Sequence, residues 1–344
     1  MKGVEAQGMG QTHGTEFPES IIFKALLYRM RIRLAVIFCL SAAGALFAQQ
    51  DPQFTHYMFN QLYFNPAAAG SEGVTKLTAL HRSQWLGYQP TFDDGGAPTT
   101  QLITFNTPLF RIKSGFGGYI VNDRLGPQNN IEIQGSYAYH RKLGNGKLSA
   151  GLRAGIYSQT INFAKYRPID PDDPLINSKG KESQVKPDLA IGLQYRTEKY
   201  YAGVSMTHLT KSSFDFGLNQ RSTLEPHLYI TGGYFYEVNF DLKLQFMTLI
   251  KTDLTKTAVD IGGIAYLRDT MWGGLSFRES EAAILMLGYS LMKDKSLKIG
   301  YSLDYVVKDQ AAKQPTSHEL MVTYELPVAT ALKRKVIRTP RYRH

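Results

Sequence analysis

The feature that most constrains this chain is a two-residue alternation of apolar and polar side chains, recurring from about residue 74 to 326. Over 296–308 one face reads Leu297, Ile299, Tyr301, Leu303, Tyr305 and Val307; the other reads Ser296, Lys298, Gly300, Ser302, Asp304, Val306 and Lys308. Successive strand side chains point to opposite faces, so this is a strand with one apolar and one polar side. Likewise Leu242, Leu244, Phe246, Thr248 and Ile250 oppose Asp241, Lys243, Gln245, Met247, Leu249 and Lys251. Ile131, Ile133, Gly135, Tyr137 and Tyr139 oppose Glu132, Gln134, Ser136, Ala138 and His140. About fourteen such segments are read near 74–84, 98–108, 113–123, 129–141, 147–160, 187–196, 199–209, 225–237, 240–253, 256–268, 270–279, 281–293, 295–308 and 316–326.

Several are joined by short polar turns: Gly144-Asn145-Gly146, Thr197-Glu198-Lys199 and Lys293-Asp294-Lys295. Longer connections fall near 161–186, with Pro168, Pro171 and Pro174, and near 210–224. Short turns on one rim and long loops on the other are the habit of outer-membrane barrels. A soluble sandwich alternates in the same way, with its apolar face inward. Three features favour the membrane barrel. Segments of about 10–13 residues suit a tilted crossing, which needs about 9–11. The hairpins follow an export signal and the mature chain has no cysteine. Tyr and Phe gather near strand ends, at Tyr200-Tyr201, Tyr234-Phe235-Tyr236, Tyr305 and Tyr324, as in interfacial girdles. The 21 Tyr, 18 Phe and 31 Gly also favour sheet and tight turns over helix.

The export signal is read over 30–48. Arg31 and Arg33 precede an uncharged run from Leu34 to Leu46 that ends Ala45-Leu46-Phe47-Ala48. That run is too short for a transmembrane helix, which needs roughly 20 apolar residues. Cleavage is placed after Ala48, removing Cys39, the one cysteine. Residues 1–29 do not fit a signal and read as an upstream extension, with Met30 as a start; a cytoplasmic extension is the alternative.

The net charge of +10 would suggest nucleic acid, but Lys333, Arg334, Lys335, Arg338, Arg341 and Arg343 concentrate it in a tail over 327–344. That tail reads as periplasmic, with lipid headgroups or an acidic partner as its contacts, and Lys333, Arg334 and Lys335 as the contacting residues. No HExxH, GxSxG, P-loop or CxxC pattern occurs in the mature chain. His81, His140, His208, His227 and His318 are spread over separate segments without ligand spacing. Asp170, Asp172 and Asp173 cluster in a proline-rich loop and read as solvated acids rather than a Ca²⁺ site. The expectation is a protein that is not an enzyme, with no cofactor, no metal, no catalytic set and no nucleic-acid partner.

After the cut the chain reads QQDPQFTHYMFNQLYFNPAAAGSEG, residues 49–73, with five aromatic rings between Phe54 and Phe64. Asp51 can cap a helix that has Pro52 at its first position. Phe54, Met58 and Leu62 then share a face, and Asn65-Pro66 ends it. The rings are expected either to plug the barrel lumen or cover its periplasmic rim, or to dock a periplasmic partner.

Asp51, Pro52, Gln53 and Phe54, then Tyr57, Met58 and Asn60, then Asn65, Pro66 and Gly70 resemble the signature of the PorP/SprF family of the type IX secretion and gliding machinery. The resemblance runs on through Arg82, Gln84-Trp85-Leu86-Gly87, Gly96-Ala97-Pro98-Thr99, Gly117 to Asp123, Ser136 to Tyr139, Leu148 to Leu152, Tyr200 to Ser205, His208-Leu209 and Ser317 to Leu320, about 49–326 in all. Gln61 and Ala68 depart from it, where proline and an aromatic residue are expected. So does the basic tail. The resemblance implies an outer-membrane barrel that helps a particular cargo, such as a surface adhesin, to be secreted or attached. Its implied partners are outer-membrane lipid, periplasmic and outer-membrane secretion components, and the secreted cargo. A passive pore for small solutes is the alternative.

Overall fold

The computed structural model describes residues 51–89, 96–166, 180–217, 222–279, 281–307 and 314–326. Its strands are β1 (Thr75–Ser83), β2 (Thr99–Leu109), β3 (Ser114–Leu125), β4 (Gln128–Leu143), β5 (Gly146–Asn162), β6 (Lys181–Arg196), β7 (Tyr200–Thr207), β8 (Ser213–Phe214), β9 (Ser222–Thr223), β10 (His227–Glu237), β11 (Leu242–Thr252), β12 (Thr257–Leu267), β13 (Met271–Arg278), β14 (Ala282–Leu291), β15 (Leu297–Val306) and β16 (Thr316–Leu326). All but β8 and β9 form one closed barrel, each strand antiparallel to its sequence neighbours. β1 closes it against β16, with Ala79 opposite Val322. β8 and β9 make a two-residue ladder of their own in the long 208–226 connection. Closure leaves no free sheet edge, as a barrel in lipid requires. No described helix is long and apolar enough to cross a membrane.

The direction of the alternation is the decisive feature. Along β4, Glu132, Gln134, Ser136 and His140 face inward and are buried, while Ile133, Tyr137 and Tyr139 are exposed on the outside. β15 repeats this, with Ser302 and Asp304 buried and Ile299, Tyr301 and Tyr305 outside. A polar interior within an apolar wall is the reverse of a sandwich and matches a barrel whose outer band meets hydrocarbon. Tyr200, Tyr234, Tyr236, Tyr305 and Tyr324 are outside as expected. Tyr201 is not: it is buried in the lumen with Phe235 against it, centroids 6.3 Å apart, because neighbours in a strand face opposite ways.

The segment before β1 differs from the helix expected of it. It holds a 3-10 turn at Tyr57–Phe59, one α-turn at Gln61–Phe64 and a second 3-10 turn at Pro66–Ala68. Asn60, at φ −132° and ψ 54°, interrupts any longer helix. Asp51 caps nothing, since its carboxylate is taken by side chains of the wall. Asn65 does not merely end a helix; its side chain accepts from the Ala67 amide and starts the next turn.

Candidate functional site

The candidate site is the segment itself, which runs inside the barrel. It starts among residues of the long-loop end, descends, and leaves through the short-turn rim into β1. At its head, Asp51 Oδ1 meets His208 Nε2 at 2.9 Å, Oδ2 accepts from the Tyr229 hydroxyl at 2.5 Å, and Lys251 Nζ donates to the Asp51 carbonyl at 2.8 Å. His208 Nδ1 reaches Asp188 Oδ2 at 3.1 Å. Burial alone would raise the Asp51 carboxyl, but the imidazoles of His208 and His227 reverse this and hold it well below the usual carboxylate range. Burial would likewise lower His208; Asp51 and Asp188 outweigh it and keep the ring protonated well above the ordinary histidine value.

One turn further, the Thr55 and His56 amides each donate to the Glu319 carboxylate at 2.8 Å, and His56 Nδ1 lies 2.7 Å from it. Thr55 Oγ1 donates to Asp304 and accepts from Arg82 at 2.9 Å. Arg82 pairs with Asp304 at 2.8 Å and Glu319 at 3.4 Å, all three being buried. The desolvation of such buried ion pairs is offset by their mutual attraction and by the added hydrogen bonds from Thr55 and His56, although Arg82 Nε has no partner among the described residues.

The rings then pack on one another. Phe54 stands edge-on to Tyr63 at 5.0 Å, Tyr57 to Phe64 at 6.3 Å, and Phe64 to Tyr229 at 5.4 Å. Such T-shaped pairs contribute about 0.5–1.5 kcal/mol each beyond area burial. Met58 joins the same cluster, and the half-buried Phe59 leans on Trp272. Arg153 Nη2 donates to the carbonyls of Leu62 and Tyr63 at 2.5 and 2.8 Å, holding the α-turn to β5. Gln61 Oε1, at a position where proline was expected, accepts from Gln194 at 2.9 Å and Arg196 at 3.3 Å.

The last stretch lies flat on glycines. A Cβ at Gly151 would fall 2.3 Å from the Ala67 nitrogen, and one at Gly115 would fall 2.1 Å from the Ala69 oxygen. Asn65 Nδ2 donates to the Leu193 carbonyl at 3.0 Å. Gly70, at φ +64° and with its amide donating to Asn106 Oδ1 at 2.6 Å, makes the bend out of the lumen.

A model of the type IX secretion system membrane protein PorP/SprF family matches residues 46–324. The chain belongs to this family. It is therefore a type IX secretion-associated β-barrel of the outer membrane, and its partners are among the components of that system. Solved structures similar to this PorP/SprF protein include the outer membrane protein Omp33 of Acinetobacter baumannii (8% identity, 73% of this chain and 98% of that one, TM-score 0.43). Also similar are a FadL homologue of Pseudomonas aeruginosa (14%, 81% and 96%, 0.42) and the toluene transporter TodX of Pseudomonas putida (10%, 83% and 96%, 0.43). Among curated proteins, no sequence matches.

Of the PorP/SprF signature residues, Asp51, Phe54, Tyr57, Met58, Asn60, Asn65, Pro66 and Gly70 are buried, and Pro52 and Gln53 are half-buried. They are inside the barrel rather than over its rim. The sequence reading missed Thr55 and His56 within the segment, and missed the holding role of the wall residues Arg82, Arg153, Asp304 and Glu319. It also read the histidines as scattered, whereas His208 and His227 meet at 6.0 Å between ring centroids. The strand register could have shown this, because Thr207 of β7 pairs with His227 of β10. Ser205 donates to the Phe64 carbonyl inside the lumen. The export signal over 30–48, the extension 1–29, the acids Asp170, Asp172 and Asp173, and the tail with Lys333, Arg334 and Lys335 lie outside the described residues.

Proposed function

We propose that this protein is an anchoring accessory of type IX secretion. It supports secretion or surface attachment of one cargo, such as an adhesin, and links the outer membrane to the periplasmic machinery through its short-turn rim. The observation that carries this reading is the filled lumen. Residues 51–71 occupy the barrel interior, so the signature segment serves as a plug, and wall and plug together offer a rigid platform rather than a conduit. That favours an anchor over a passive pore, which needs an open water path. The short-turn rim is the one that faces the periplasm in outer-membrane barrels. There Phe240 and Met292 are exposed in turns, and Lys76, Arg196, Lys243 and Lys298 line the mouth with Glu72, Asp269 and Glu325. A mixed-charge mouth with exposed apolar residues suits a protein partner.

The test uses the full chain tagged in the 210–224 loop and recovered from detergent-solubilised envelope. Periplasmic secretion components and one large secreted protein are expected to co-purify. A Phe240→Ser, Met292→Ser variant is expected to lose the periplasmic components while the barrel stays heat-modifiable on gels. In planar bilayers the wild-type protein is expected to show no steady open level. Recovery of the barrel alone, with a steady solute-selective conductance, would sink the anchoring role and restore the pore.

A further inference from the structure

At the long-loop end, one carboxylate oxygen of Asp51 and one ring nitrogen each of His208 and His227 lie within 4.8 Å of one another. The three come from separate parts of the chain: the head of the luminal segment, the residue after β7 and the first residue of β10. His208 is at φ +55°, a left-handed conformation uncommon for a non-glycine residue. Both histidines are 3% exposed. His208 Nδ1 is oriented from behind by Asp188, while His227 Nδ1 lies 3.6 Å from Asp51 Oδ2 and 3.0 Å from the Glu225 carbonyl. The Tyr229 hydroxyl fixes the second oxygen of Asp51. Among the described residues, His227 Nε2 is buried without a hydrogen-bond partner.

Two imidazoles and one carboxylate, with a second carboxylate behind His208, make a donor set that borderline divalent metals prefer. The carboxylate–histidine relay from Asp188 through His208 matches the outer shell that orients a metal-bound imidazole. Further titratable groups surround the cluster, and Lys251 Nζ donates to the Asp51 carbonyl. Asp123, Glu132 and Asp188 are buried on the inner faces of β3, β4 and β6, against Lys251 on β11 and Arg153 on β5.

We propose that Asp51, His208 and His227 bind one divalent transition-metal ion of the zinc class, which fastens the head of the luminal segment to the barrel wall. The metal takes the place of the proton between His208 Nε2 and Asp51 Oδ1, and that proton leaves to solvent. A water molecule completes four-coordination. The role is structural: the ion joins residue 51 to β7 and β10, so release of the segment becomes metal-dependent. This inference does not depend on which cargo the barrel serves.

The full-length barrel, purified in detergent, stripped with chelator and desalted, is titrated with Zn²⁺ and separately with Co²⁺. The expected result is one Zn²⁺ per chain, a raised temperature of heat-modifiability, and the intense visible absorption of four-coordinate Co²⁺. His227→Gln spares the Asp51–His208–Asp188 bridge and is expected to fold, yet to bind at least about tenfold more weakly. His81 and His318 lie toward the outside of the barrel, so the paired His81→Gln, His318→Gln variant should bind as the wild type does. No stoichiometric metal, or metal lost with His81 and His318 but kept without His227, overturns the proposal. Should His227→Gln fail to fold, the wild-type Co²⁺ spectrum decides: only weak six-coordinate absorption refutes the site.

Discussion

At the scale of single residues, Arg82 shows how the lumen is held together. Its guanidinium is buried and shared among Asp304, Glu319 and Thr55, so it serves the wall and the segment at once. Removing it takes the nearest cation from Asp304, which keeps only Arg278 at 3.6 Å, and leaves Glu319 to His56, a loss toward the lower end of about 3–5 kcal/mol. Arg82→Leu is therefore expected to lower the urea midpoint of the detergent-folded barrel and to expose residues 51–71 to protease. A change below about 1 kcal/mol would mean that water already screens this network. Arg82 was visible in the sequence as part of a family pattern, but its role was not. Its partners come from β15 and β16, as far as 237 positions away, and an antiparallel closure of β1 on β16 is needed to bring them together. The His208–His227 pair was hidden for the same reason on a smaller scale, since no local spacing joins the end of one strand to the start of another across a loop.

At the scale of elements, the strands were the legible part. Alternation of period two is a local property, and the expected segments coincide with the barrel strands, most ends agreeing within a few residues. The main shortfall is β6, which starts at Lys181 instead of near 187. Its first residues, Lys181, Glu182, Ser183 and Gln184, are polar on both sides, as suits a strand that rises above the apolar band. The luminal segment was the least legible element. Phe54, Met58 and Leu62 have helical spacing, but a segment enclosed by wall needs contacts on every side, and Glu319 takes the Thr55 and His56 amides that a helix would use otherwise. Its fit to the wall can be tested at Gly115, where a side chain would collide with the Ala69 backbone. Overpacking of this sort costs about 1–3 kcal/mol. In Gly115→Val the 66–70 stretch is expected to leave the wall while the strands stay paired. Single-channel recording should then show an open level absent from the wild type, with heat-modifiability kept. An unchanged closed baseline would show that the segment does not seal the lumen through this contact.

At the scale of the whole molecule, one fact separates this barrel from a soluble sheet protein with the same alternation: which face is buried. The sequence pattern is symmetric with respect to that choice, so strand length, rim asymmetry and ring placement had to argue for it. In the structure the apolar face is outside, and Leu275 near the middle of β13 is 68% exposed. If water surrounded it, Leu275→Arg would be nearly neutral, as surface substitutions usually fall within about 0.5 kcal/mol. In a bilayer the same change near the midplane costs about 2–4 kcal/mol. The expected outcome, measured by equilibrium unfolding from lipid vesicles, is a loss in that upper range for Leu275→Arg. Thr255→Arg, in the exposed turn between β11 and β12, should leave the transition unmoved. The difference between the two variants measures the lipid contribution directly, because both add the same side chain to an exposed position and only the surrounding medium differs. Equal, small effects at both positions would contradict a lipid-facing wall.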